Sequence, residues 1–193
     1  MRTVNALGLC AILGLGLAAC SDSKPVECPS ATIIPGAQSV AKFGAGPGRE
    51  AQDIDYGARL LNAALSCEWG DDEKGVAVST KLGVSVLRGK PEIRTGQLVY
   101  FVAVTDRRQN ILTERDFTID LKFPEAQSRL EITEEHDEFI PLPKGGSGAN
   151  YGVLFGFRLT PEELQYNRDH EKRDEGSKTD KTDKTEQLPK PGS

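Results

Sequence analysis

Residues 115–123 read RDFTIDLKF, and apolar and polar side chains alternate through the run. Phe117, Ile119, Leu121 and Phe123 fall on one side of an extended chain, and Asp116, Thr118, Asp120 and Lys122 on the other. Successive side chains of a strand point to opposite faces, so this period of two requires a sheet with one face on a core and one in water. Pro124 ends the run.

Related patterns recur along the chain. Residues 31–34 predict a first strand stopped by Pro35-Gly36. Residues 56–69, YGARLLNAALSCEW, are rich in helix-favouring Ala and Leu. They end in Cys67 and Trp69 before the turn Gly70-Asp71-Asp72 and have strand-like neighbours, so a strand is expected. Val76 and Val78, then Leu82, Val84 and Val86, alternate with small or polar residues as far as Gly89-Lys90-Pro91. LVYFVAV, at 98–104, is continuously apolar and predicts a strand buried on both faces. A turn at 106–110 separates it from RDFTIDLKF. Leu130 and Ile132 mark a further strand and Phe139-Ile140 an edge. YGVLFGFRL, at 151–159, puts Val153, Phe155, Phe157 and Leu159 on one face.

About seven short strands with turn signals between them predict an all-β fold, an antiparallel β-sandwich over residues 28–168. Its architecture is expected to be immunoglobulin-like, although the Cys-Trp-Cys order of antibody domains is missing. A short C-terminal helix opens at Thr160-Pro161-Glu162-Glu163, with Thr160 as N-cap, Pro161 in the first helical position and Glu163 as the capping acid. It is expected to end near Arg168. Residues 169–193, with the repeat KTDKTDKTE, mix both charges with almost no apolar content and predict a disordered polyampholyte tail.

The N-terminus has another logic. Arg2 precedes an apolar run from Val4 to Ala19 that is too short to span a bilayer. A basic start, an apolar stretch and small residues make the layout of an export signal over residues 1–19. An uncleaved anchor or a buried helix is the alternative, and Gly14, Gly16 and the polar segment after Cys20 suit neither. Leu17-Ala18-Ala19-Cys20 resembles the lipobox of bacterial lipoproteins at all four positions. The resemblance implies cleavage before Cys20, acylation of that cysteine and a polar tether over residues 20–27. More than one acyl chain gives stable anchoring. Ser21, rather than Asp, after the lipidated residue points to the outer membrane. The chain also resembles envelope lipoproteins of Gram-negative bacteria that carry a β-sandwich domain, through the lipobox and the ending GFRLTPEELQYNR. Cell-envelope localisation facing the periplasm is what that likeness implies.

Cys10 would leave with the signal and Cys20 would carry lipid, which leaves Cys28 and Cys67. In an oxidising periplasm two remaining thiols predict one disulfide. A redox pair or metal site is the alternative, without a Cys-x-x-Cys spacing or a nearby His to favour it. Removing residues 1–19 takes away one arginine and no acid, moving the formal net charge from −5 to −6. Nucleic-acid binding needs clustered cations and is not expected.

Sequence motifs for chemistry are few. His136 sits in EITEEHDEF, among Glu131, Glu134, Glu135, Asp137 and Glu138. Hard oxygen ligands could hold a divalent cation there, with Glu134, Glu135 and Asp137 the weak metal candidates. The spacing fits no EF-hand, and adjacent acids on a strand point apart, so a solvated acidic turn between two strands is the plainer expectation. AKFGAGPGRE, at 41–50, reads as a loop and lacks the Gly-Lys-Ser/Thr ending of a phosphate loop. GGSGA, at 145–149, misses the last glycine of a nucleophile elbow and reads as a hairpin-type loop. No catalytic residue and no cofactor are therefore expected. The function expected is a non-catalytic binding or assembly module, held at the membrane by its lipid and contacting an envelope protein through strand edges and the loops at 41–50 and 144–150. The alternative is a metal-dependent binder or enzyme using the acidic cluster at 131–138.

Overall fold

A computed structural model describes residues 25–70 and 74–170. The segments read as signal, lipidated Cys20 and most of the tether, and the tail from residue 171, lie outside the described residues. Eight strands follow in order: β1 (Ser30–Ile33), β2 (Ser39–Phe43), β3 (Ile54–Trp69), β4 (Gly75–Arg88), β5 (Thr95–Thr105), β6 (Ile111–Lys122), β7 (Arg129–Pro141) and β8 (Gly152–Phe157). They form two four-stranded sheets, β1-β8-β5-β6 and β2-β3-β4-β7. The sandwich expected from the alternating pattern is present. All pairs are antiparallel except β1 with β8.

The core lies between the sheets. Leu60, Leu82, Val84 and Val86 from one sheet meet Leu98, Tyr100, Leu121, Phe155 and Phe157 from the other, and all are buried. Period-two residues line it, as RDFTIDLKF requires: Ile119, Leu121 and Phe123 are buried, while Asp116, Thr118, Asp120 and Lys122 are exposed. β3 changes phase halfway. A bulge between Leu60 and Asn62 leaves Leu61 about half exposed, at 51%. Ala58 and Leu60 pack inward before it, Ala63, Leu65 and Cys67 after it. An extra residue in one strand has this effect.

A helix, α1 (residues 161–170), covers the edge of β2. Its capping box forms as expected: the Glu163 backbone N–H donates to Thr160 Oγ1 (3.2 Å), and the Thr160 N–H donates to the Glu163 carboxylate (2.9 Å). Glu163 also pairs with Lys42 on β2 at 2.8 Å. Asn167 Nδ2 donates to the carbonyls of Gly36 (2.9 Å) and Ser39 (2.7 Å), and Tyr166 sets its ring edge-on to Phe43.

Several local expectations change. Residues 41–43 are strand rather than loop, because Val40 and Ala41 reach the core and Lys42 finds Glu163. Residues 98–104 are not buried on both faces throughout: Val99 and Phe101 are half-buried on the outer face, where Arg158 lies over the Phe101 ring at 4.6 Å. Residues 129–141 make one strand, not two strands flanking an acidic turn. The 142–151 segment is no hairpin; it carries the chain from β7 to β8 in the opposite sheet. The first pair to β8 is parallel, not antiparallel. The helix continues through Asp169 and His170, two residues past the expected end.

Candidate functional site

β6 and β7 are the outer strands of their sheets, at 12 and 13 residues. Short connections set them on the same side of the sandwich: each sheet's order ends in one of them, and Arg115 of β6 forms an ion pair with Glu138 of β7 across the gap. On the opposite side the outer strands are β1 and β2, of four and five residues, and α1 packs on β2. Among the described residues, the open side is therefore the longest stretch of strand edge without a strand partner.

The acids of β7 are sorted by period two. Glu131, Glu135 and Asp137 lie on the outer face, where they meet Ser85 (2.9 Å), Lys81 (3.0 Å) and Ser79 (2.8 Å) of the paired β4. Glu134, His136 and Glu138 lie on the inner face. His136 is 5% exposed and Tyr100 fully buried. The Tyr100 hydroxyl lies 3.0 Å from His136 Nε2 and donates to Glu134 Oε2 at 3.1 Å. This bond crosses from one sheet to the other. The His136 ring packs against Phe117 at 4.6 Å and Phe155 at 6.1 Å. Burial pushes the His136 pKa below the ordinary histidine range, although Glu134 and Glu138 pull it up. Burial, then the charge of Glu134 and its hydrogen bond, push the Tyr100 hydroxyl up, so it stays a proton donor.

The metal candidates are thus not brought together. Glu134 points between the sheets, while Glu135 and Asp137 point to solvent with separate partners. Among the described residues no group of three or more His, Cys, Asp or Glu is placed to hold a metal ion. What sequence reasoning missed is the Tyr100–Glu134–His136 cluster. The signal was present in the parity of 134 and 136 with Ile132 and Ile140, all inward-facing in β7.

The other surfaces expected to make contacts are partly used by the fold. Arg49 of the glycine loop donates to the carbonyls of Gly46 (2.9 Å) and Gly48 (2.7 Å), stacks on Phe43 and reaches Glu162 of α1 at 3.4 Å. It presents no phosphate cradle. In the 142–151 segment, Ser147 donates to Glu27, and a side chain at Gly148 would strike the Glu27 carbonyl. Residues 26–28 are thereby held against this segment, and the Cys28–Cys67 disulfide, closing a separation of 39 residues, ties them to β3. Among the described residues no helix is long and apolar enough to cross a membrane.

The fold defines the class: an eight-stranded two-sheet sandwich with one capped and one open side. No protein-family model matches the chain, and no curated protein and no solved structure matches it significantly.

Proposed function

We propose that this protein is a lipid-anchored envelope module, facing the periplasm, that captures an extended segment of another envelope protein along the open side between β6 and β7. One observation carries the reading: the two longest outer strands lie together on one side, while on the opposite side the outer strands β1 and β2 are short and α1 packs on β2. A free strand edge offers backbone donors and acceptors to an added strand. β7 carries five acids against one arginine, so a segment with Lys or Arg at alternate positions fits it best.

A non-catalytic role is favoured by where the polar chemistry lies. Tyr100 and His136, the groups best suited to proton transfer, are buried between the sheets and hydrogen-bonded there, so no substrate atom reaches them. The anchor part of the reading rests on the Leu17-Ala18-Ala19-Cys20 motif.

The test is photo-crosslinking in living cells from probes at Thr118 on β6 and Thr133 on β7, with Ser66 on the outer face of β3 as control. Specific adducts from the edge positions support the reading. Adducts from Ser66 alone would refute it.

A further inference from the structure

The turn between β5 and β6 presents an apolar pair beside two arginines. Ile111 is 59% exposed and Leu112 50%. Arg107 and Arg108 are exposed, and the charge of Arg108 acts on Asp106 of the same turn. The turn is held rigid from within. Asp106 Oδ1 accepts from the backbone N–H groups of Arg108 (2.8 Å) and Asn110 (2.9 Å), and Oδ2 from Asn110 Nδ2 (2.8 Å). The one acid of the turn is thus spent on its shape, while the arginines project. Gln109 takes the left-handed conformation (φ 65°) that lets the turn close.

The sheet register places this tip relative to the N-terminal tether. Ser30 of β1 pairs with Gly152 of β8, Gly152 with Thr105 of β5, and Thr105 with Ile111 of β6. All four lie in one row across the sheet. Ile111 is therefore three strand spacings, about 14 Å, from Ser30. The chain enters β1 from Cys28 at the end of the sandwich where the 106–110 turn projects, and the disulfide and the Ser147–Glu27 bond fix that entry point. Lys144, exposed on the 142–151 segment, adds a cation at the same end.

We propose that the 106–112 turn is a membrane-contact tip that seats Ile111 and Leu112 at the surface of an anionic phospholipid bilayer, with Arg107 and Arg108 on the headgroups. This rests on the reading of Cys20 as the lipidated residue. Seven residues separate Cys20 from Cys28, and the eight steps of chain between them span at most about 28 Å. So short a tether keeps the disulfide-bearing end close to the bilayer, within reach of the tip. Apolar side chains flanked by cations suit that interface. Asp71, Asp72 and Glu73 lie outside the described residues.

The test uses the full-length protein, processed in cells, purified from membranes and reconstituted into vesicles. A single free thiol is introduced at the tip (Gln109→Cys) or at the far end (Ser128→Cys) and carries a polarity-sensitive fluorophore. The mass of the N-terminal peptide reports acylation. The expected result is a blue shift at 109 on phosphatidylglycerol vesicles, none at 128, a much smaller shift on phosphatidylcholine, and loss of the shift in Arg107→Gln/Arg108→Gln and in Ile111→Ser/Leu112→Ser. An acylated, vesicle-bound protein whose label at 109 stays as wet as that at 128 would overturn the tip and leave the anchor standing. An unacylated protein whose label still shifts on anionic vesicles would overturn the anchor and support the tip. Equal shifts on both lipids would overturn recognition of anionic headgroups. A shift in detergent that grows with protein concentration would assign the tip to a second copy and overturn the proposal.

Discussion

Replacing Tyr100 by Phe removes one oxygen from the centre of the sandwich and keeps the ring stacked on Phe117 at 5.5 Å. The hydroxyl makes two contacts, 3.1 Å to Glu134 and 3.0 Å to His136. A hydrogen bond to a charged group contributes about 1.5–3 kcal/mol and a neutral one about 0.5–1.5, and an abandoned buried partner adds its own desolvation cost. Glu134 is only partly buried and regains some water, which lowers the sum. The expected loss is about 2 kcal/mol, which for a domain of this size moves Tm by roughly 4–8 °C. Urea unfolding should show a lower midpoint with an unchanged slope. Glu134→Gln keeps an acceptor and should cost less alone; combined with Tyr100→Phe the two should fall short of additivity by about 1 kcal/mol, because both break the same bond. A Tyr100→Phe loss under about 0.5 kcal/mol, or strict additivity, would refute the view that this cluster ties the two sheets together.

Acid should weaken the fold through His136. Its folded pKa lies below its unfolded value, so its contribution is complete above about pH 6.5 and is lost as pH falls through the folded value. Thermal melts at pH 7.5 and 5.0 should differ less for His136→Gln than for the wild type; equal differences would remove His136 from the account. Cys28→Ala with Cys67→Ala should cost about 4 kcal/mol by the loop-entropy relation for a separation of 39 residues, read as a drop in the urea midpoint. Glu163→Ala breaks both the capping box and the Lys42 pair, and should cost about 1–2 kcal/mol while exposing the α1 segment to protease before the sandwich opens. Cleavage no faster than in the wild type would show that Asn167 and Tyr166 alone hold the helix.

The strands were legible where period two runs unbroken, as from Phe117 to Phe123 and from Val153 to Phe157. They were ambiguous in β3 because its bulge moves the inward set from Ala58 and Leu60 to Ala63, Leu65 and Cys67. No single alternation spans such a shift. β7 was misread for a different reason. Hydropathy counts Glu134, His136 and Glu138 as solvent-seeking, and their inward placement depends on Tyr100, Phe117 and Arg115, which arrive from the other sheet. Polar residues satisfied by a distant strand carry no local mark. Phe101 shows the converse: apolar in sequence, it lies on a face covered mainly by Arg158.

The charges on β6 and β7 also bear on how a second copy would meet the open side. Long free edges invite unwanted strand pairing, and charge along an edge discourages it. β6 places Glu114, Arg115 and Asp116 in succession, and β7 alternates acids on both faces. Another copy approaching β7 with its own β7 would bring like charges together. A partner segment bearing Lys or Arg would not, so the residues that would discourage self-pairing are those that would select the proposed basic partner. The 106–112 tip takes Ile111 and Leu112 from the start of β6 and leaves residues 113–122 of that edge, and β7, clear of it. A partner strand on the open side and a bilayer at the tip would therefore occupy different surfaces. Contact with the membrane leaves the edge free, provided that Arg115–Glu138 keeps the two sheets together at the tip end.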